Sequence, residues 1–208
     1  MTEAPRGWDF DTYDWVDDYD QRMQGLGRLS YGETLHLLPV LTEAQRGEVV
    51  LDIGTGTGNS ALPFLECGCR VVGLDPSRRM LGHAAAKVAA WRGQLLAVQT
   101  SEPFLDPPLR AQTFDIIASA YAVHHLEDEA KRAAVRTMRS LLRPGGRLAI
   151  ADTMFRDEAC RTEALAQHRD LEEEHQPLLT TFPAMFEEQG FTVRLRQVGE
   201  LVWVLVAW

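Results

Sequence analysis

The run Glu48 to Ile53 (EVVLDI) leads without interruption into Gly54-Thr55-Gly56-Thr57-Gly58. A β-branched stretch that meets alternating glycines leaves its strand through a tight turn, because Gly54 and Gly56 carry no side chain to block it. From about Asn59 to Glu66 the pattern is helical. The N-terminus of such a helix offers unpaired N–H groups and a positive dipole end to an anionic group. Strand, glycine turn and helix in this order open a parallel α/β sheet with a ligand site at the turn.

The rest of the chain repeats that alternation. Arg70 to Asp75 (RVVGLD) reads as a second strand. Pro76-Ser77 then opens a helix to about Trp91, with Ser77 as its cap and five alanines favouring it. Leu95 to Gln99, Phe114 to Ser119 and Arg147 to Asp152 supply three more strands. A loop is expected over Pro103 to Pro108, and a helix from Glu127 to Leu142 that stops at Arg143-Pro144-Gly145-Gly146. Apolar strands separated by helices imply a parallel sheet covered on both faces, and right-handed crossovers make it doubly wound.

The tail breaks the alternation. A polar helix is expected from about Asp157 to His175, followed by Phe182 to Gln189. Two further runs, Phe191 to Val198 and Leu201 to Ala207, are joined by Gly199-Glu200 alone. So short a link forces an antiparallel hairpin, since a parallel pair needs a crossover of about a dozen residues or more. The expected sheet is therefore seven-stranded, mostly parallel, with a C-terminal antiparallel hairpin.

Length and charge narrow the function. At 208 residues the chain suits a single domain with a sizeable core. The net charge of −9, with lysine and arginine spread thinly, argues against nucleic acid as the partner. No apolar stretch reaches the roughly 18 residues of a membrane span. The acidic, aromatic start does not read as a secretory signal, so a cytoplasmic location is expected. Three cysteines do not make a disulfide framework, and Cys67-Gly68-Cys69 lacks a second ligand pair. His168, Glu172 and His175 share a helix face but read best as a solvated acidic helix. No metal is expected.

The glycine turn has a rival reading as a dinucleotide site, whose fingerprint is G-x-G-x-x-G. Counted from Gly54, the third glycine would fall at Asn59, while the chain has it one place early at Gly58. Asp75 closes the second strand, where a carboxylate can accept from both ribose hydroxyls of an adenosine.

Taken together, VVLDIGTGTGNSA, VVGLDPSRRML, FDIIASAYAVHHLED and LLRPGG resemble the class I S-adenosylmethionine-dependent methyltransferases from about Trp15 to Ala207. The opening YDQRMQG is similar to one in small, poorly characterised bacterial members. The resemblance implies the doubly wound Rossmann-like methyltransferase fold and S-adenosyl-L-methionine as cofactor. It implies that Asp52 orients the amino end of the cofactor, that Gly54, Thr55 and Gly56 line its methionine part, and that Asp75 holds the ribose. Pro76 and Met80 would pack near the adenine, with Glu102 standing where the family often has an aspartate toward the adenine amino group. The backbone at Ser119 and Ala120 would accept from the cofactor ammonium.

His124-His125 follow the fourth strand, at the family's active-site rim. His124 is the candidate to take a proton or shape the acceptor pocket. Tyr19 and Tyr121 are candidates for the pocket wall, Tyr19 also on the cofactor side. The aromatics Trp8, Phe10, Tyr13, Trp15 and Tyr19, mixed with acids, read as a lid or as a solvated terminus. As a lid, their acids would favour a cationic acceptor.

The division expected is an N-terminal helical lid over 1–46, a cofactor-binding core over 47–152, and acceptor-side helices with the closing hairpin over 153–208. The expected activity is in-line methyl transfer to a small-molecule acceptor by a monomer or homodimer, with no nucleic-acid or membrane partner. A non-catalytic S-adenosylmethionine-binding module, a nicotinamide-dependent oxidoreductase and a non-methylating use of S-adenosylmethionine are the alternatives.

Overall fold

Alternation along the strands decides the architecture. In β1 (Val49–Ile53) the neighbours Val50 and Leu51 are both fully buried, yet they enter different apolar clusters. The same division runs through Val71 and Val72 of β2 (Arg70–Asp75), and through Ile116 and Ile117 of β4 (Phe114–Ala120). A strand apolar on both faces needs cover on both. The computed structural model describes residues 10–11, 14–89, 95–104, 108–109, 112–168 and 174–208.

The strands form one seven-stranded sheet in the order β3-β2-β1-β4-β5-β7-β6, completed by β3 (Leu95–Gln99), β5 (Leu142–Thr153), β6 (Val193–Gln197) and β7 (Val202–Ala207). The pairs among β1 to β5 are parallel; β7 runs antiparallel to both β5 and β6. The Gly199-Glu200 link makes the expected hairpin, with Val198 N donating to Val202 O at 2.9 Å.

One face carries residues of α5 (Asp128–Leu141) and α7 (Phe182–Glu187). The other carries residues of α2 (Tyr31–Leu41) and α3 (Ala61–Glu66). α1 (Tyr19–Gly25) precedes them, α4 (Arg78–Val88) joins β2 to β3, and α6 (Glu158–Gln167) follows β5. Chain order reverses between β1 and β4, and the glycine turn sits at the carboxyl end of β1. Open α/β sheets bind ligands at this kind of switch point.

Ser77 caps α4 as expected, its hydroxyl accepting from Met80 N at 3.1 Å. Two boundaries differ from the sequence expectation. The polar helix begun near Asp157 ends at Gln167, well before His175, and residues 169–173 lie outside the described ones. The Arg143-Pro144-Gly145-Gly146 turn stops α5 but does not delay β5, because Leu142 already pairs with Phe114. Between the pairs Phe114–Leu142 and Ile116–Arg147 the register shifts. The four residues bulge outward there, Gly145 at φ +77° and Gly146 lying close over the Asp115 carbonyl.

Phe186 is completely buried, with its ring edge-on to Phe182 at 5.1 Å and 6.2 Å from Phe191. Removing it leaves a cavity under α7 that the hairpin cannot collapse into. Phe186→Ala should lower unfolding free energy by about 3–5 kcal/mol in urea denaturation. A loss under 1 kcal/mol would mean that α7 does not anchor this face of the sheet.

Candidate functional site

The turn after β1 is stitched to the end of β2. Gly54 N and Thr55 N both donate to Leu74 O, at 2.8 and 3.0 Å, and Gly56 N donates to the Asp75 carboxylate at 2.8 Å. Gly54, Gly56 and Gly58 all have positive φ. A Cβ on Gly54 would stand 2.6 Å from that of Ala122, so glycine is required there on two counts. Asp75 also accepts from Ser77 N at 2.9 Å.

Beneath the turn lies Asp52, fully buried, its Oδ2 accepting from Thr55 Oγ1 at 2.6 Å and Ser60 Oγ at 2.7 Å. Its other oxygen is buried with no hydrogen-bond partner among the described residues. Burial pushes the Asp52 carboxyl up to about 6, against the two hydroxyl donors. Asp75 is likewise pushed up to about 6, first by burial, with the charges of Asp52 and Asp11 adding to it.

A small cavity opens at this turn. Its walls are Gly54, Thr55 and Gly56 on one side, Asp75 and Met80 on another, Ala120 to Ala122 and His125 beyond, with Phe10, Tyr19 and Tyr31 closing it. About 30 Å³ is accessible inside, far below the roughly 300 Å³ of an ordinary ligand cleft. Phe10 meets Tyr19 and His125 edge-on at 6.4 and 6.0 Å, so the N-terminal segment fills the space. A larger cavity of about 580 Å³ lies past β5, lined among others by Phe155, Glu163, His168 and Trp203. It shares no lining residue with the first.

Charges pin the N-terminal segment over the turn. Asp20 accepts from Thr57 Oγ1, Asn59 Nδ2 and Lys87 Nζ. Asp11 accepts from Ser77 Oγ and Arg79 N at the start of α4, and Asp17 pairs with Arg79 and His83. Read as a lid, the segment's acids would favour a cationic acceptor; Asp11, Asp17 and Asp20 are engaged instead with α4 and the glycine turn. Trp8, Asp9 and Tyr13 lie outside the described residues.

The expected residues divide in three. Tyr19, Gly54, Thr55, Gly56, Asp75, Met80, Ala120 and Tyr121 line the cavity. Asp52 and Ser119 stand behind the turn, Ser119 Oγ donating to Ile53 O at 2.8 Å. Pro76, Glu102 and His124 are not in its lining. Glu102 is exposed after edge strand β3.

His124 gives its place at the rim to His125. Its Nδ1 lies 2.6 Å from the fully buried Asp152, and its Nε2 lies 3.3 Å from Glu174. Burial opposes charge on His124, but Asp152 and Glu174 outweigh it and hold its pKa above the ordinary value. His125 is lowered by burial and by its charged neighbour. Tyr121 lines the wall, but its hydroxyl donates to Leu29 O at 2.6 Å, which leaves it little to offer a substrate. Its φ of +52° bends the chain between β4 and the histidines. Sequence reasoning missed Tyr31, Thr57, Ser60, Ala122 and His125 as lining. Only His125 carried a signal, as half of a His-His pair.

Residues 50–146 match the methyltransferase domain family. An uncharacterised methyltransferase of Bacillus subtilis, YrrT, is 35% identical over 207 residues, covering 93% of this chain and 94% of its own. One from Geobacillus kaustophilus is 34% identical over 206 residues, covering 93% of each. Among solved structures, magnesium protoporphyrin IX methyltransferase from Synechocystis, with bound S-adenosylhomocysteine, superposes with TM-score 0.69 at 20% identity. That match covers 91% of this chain and 86% of that one, and shows a common fold.

The raised Asp52 pKa has a definite sign. A carboxyl at about 6 in the folded chain and 3.8 otherwise contributes stability in its protonated form at low pH. That contribution is lost as pH rises through about 6. The stability difference between wild type and Asp52→Asn should therefore shift against wild type by roughly 2–3 kcal/mol between pH 4 and 7.5. Urea unfolding of both proteins at the two pH values measures it; a constant difference would place Asp52 in the ordinary carboxylate range.

Proposed function

The chain belongs to the methyltransferase family, and on that premise we propose that it transfers a methyl group from S-adenosylmethionine to a small-molecule acceptor bound at the glycine turn. The observation that carries the choice of cofactor is the pair of buried carboxylates, Asp52 and Asp75, at one turn. Two carboxylates there favour a ligand with cationic groups and donor hydroxyls. Asp52, beneath the turn where a dinucleotide's pyrophosphate would lie, opposes that anion, while Asp75 suits an adenosine ribose in either ligand.

The residues present fit this cofactor. The partnerless Asp52 oxygen is a buried acceptor awaiting a donor, and the glycines leave a cradle that a Cβ would fill. Asp75 would hold the ribose, Met80 would pack on the adenine side, and Thr55 with Gly56 would line the methionine part. The Ala120 backbone and Asp52, the latter through water, would orient the ammonium. The cofactor supplies an activated methyl group on a sulfonium. A similar fold holds S-adenosylhomocysteine in the Synechocystis enzyme.

The chain's own work is positioning and exclusion of water. Phe10 and Tyr19 must yield to admit a ligand and can then pack against it, held by the Asp11 and Asp20 contacts. Tyr19, Tyr121 and His125 form the wall toward an acceptor, with transfer in line along the methyl–sulfur axis. The absence of a basic cluster in the flanking segments supports a small acceptor.

Calorimetry with S-adenosylmethionine, S-adenosylhomocysteine and NADH tests this directly. The two sulfur nucleosides should bind and NADH should not; the reverse pattern sinks the reading. Asp75→Ala should weaken both nucleosides by about 1.5–3 kcal/mol, the loss of two charge-assisted hydrogen bonds. Unchanged affinity would show that the ribose is held elsewhere.

A further inference from the structure

The four groups Asp152, His124, Glu174 and His125 come from three separate parts of the chain. The histidines lie in a short helical turn, Val123–His125, with ring centroids 4.2 Å apart. Glu174 reaches them from the segment before α7, and the next residue fixes it there: His175 N donates to His124 O at 3.0 Å. One carboxylate oxygen lies 3.3 Å from His124 Nε2 and the other 3.2 Å from His125 Nδ1. Donor atoms of the three residues lie within 4.8 Å of one another.

We propose that His124, His125 and Glu174 form a binding site for a divalent zinc-class cation at the rim of the glycine-turn cavity. A tetrahedral ion with bonds of about 2.0–2.2 Å spaces its ligand atoms about 3.4 Å apart, and one donor atom from each of the three residues already lies within 4.8 Å of the other two. Two imidazoles and a carboxylate suit zinc and its late first-row neighbours better than magnesium or calcium, which take oxygen ligands. Three protein ligands leave a fourth position open, the arrangement of catalytic zinc sites.

Asp152 is the second observation. Its Oδ1 takes Nδ1–H of His124 and the backbone N–H of Thr153, and its Oδ2 takes the backbone N–H of His124. A buried carboxylate in that place fixes the tautomer and leaves Nε2 as the ligand atom, the outer partner that metal-bound histidines ordinarily have. A proton between His124 and Glu174 competes with the cation for one lone pair. The proton offsets one of the two poorly solvated negative charges; the divalent ion offsets both.

His125 lines the cavity, so the fourth position borders it. An acceptor hydroxyl or thiol bound there would be held as its anion, its proton passing to solvent, with the nucleophile beside the methyl donor. This last step rests on the methyl-transfer reading; the site itself does not. The sequence expectation of no metal rests on local spacing, which does not bring Glu174 to the adjacent histidines as the fold does.

The full chain, stripped with chelator, is titrated with zinc chloride against a competing chelator. One zinc per chain is expected, weakened at least 30-fold in His125→Ala and in Glu174→Gln and unchanged in His36→Ala. Asp152→Asn, which keeps all three ligands, should weaken it about 10–100-fold. X-ray absorption should report two imidazole nitrogens in the first sphere. Sub-stoichiometric binding, or equal affinity in wild type and both ligand variants with their circular dichroism intact, overturns the site. S-adenosylhomocysteine binding measured on the same samples separates this outcome from failure of the cofactor reading.

Discussion

The carbonyl of Leu74 accepts from two successive N–H groups of the glycine turn, and the next N–H goes to Asp75. Three bonds thus fasten the exit of β1 to the end of β2. Everything at the carboxyl edge of the sheet takes its position from that fastening. It places the buried Asp52 below the turn and Asp75 beside it, and it brings Gly54 so near Ala122 that the chain leaving β4 must pass on the far side. Even Gly73, inside β2, is demanded by it, since a Cβ there would stand 2.8 Å from Thr55, whose hydroxyl holds Asp52.

A turn so fixed concentrates negative charge where water is scarce. The charge of Asp52 raises the cost of ionising Asp75 beyond what burial imposes. Local donors answer part of this: Ser60, Thr55, Gly56 and Ser77 all give hydrogen bonds to one or the other. One oxygen of Asp52 keeps unused acceptor capacity beneath the turn. Binding and folding therefore pull on the same two groups in opposite directions, which is how a site trades stability for affinity. The N-terminal acids escape that conflict because Arg79, His83 and Lys87 meet them at the surface.

The sheet was legible in the sequence because its signals are local. Strands apolar on both faces, a two-residue link before β7 and glycines at a turn each state their consequence within a few residues. Arg70–Asp75 and Leu95–Gln99 are bounded as the pattern predicts. Legibility failed where distant groups decide. The acidic run at the start resembles a solvated terminus until α4 is folded against it, because the α4 groups that meet Asp11 and Asp17 lie more than sixty residues away.

The exchange of His124 for His125 belongs to the same class of failure, and its cause can be traced. Both follow β4, and periodicity does not separate two adjacent residues in a turn. What separates them is Asp152, at the end of a neighbouring strand whose register is set by β4 pairing with β5. Ala120 opposite Ala151 leaves the next residue of β5, Asp152, level with the turn that carries the histidines. A fully buried carboxylate must find donors, and the backbone and ring of His124 are the ones in reach. Satisfying it turns His124 inward. His125, the remaining member of the pair, is then left facing the cavity, with Glu174 set between the two rings.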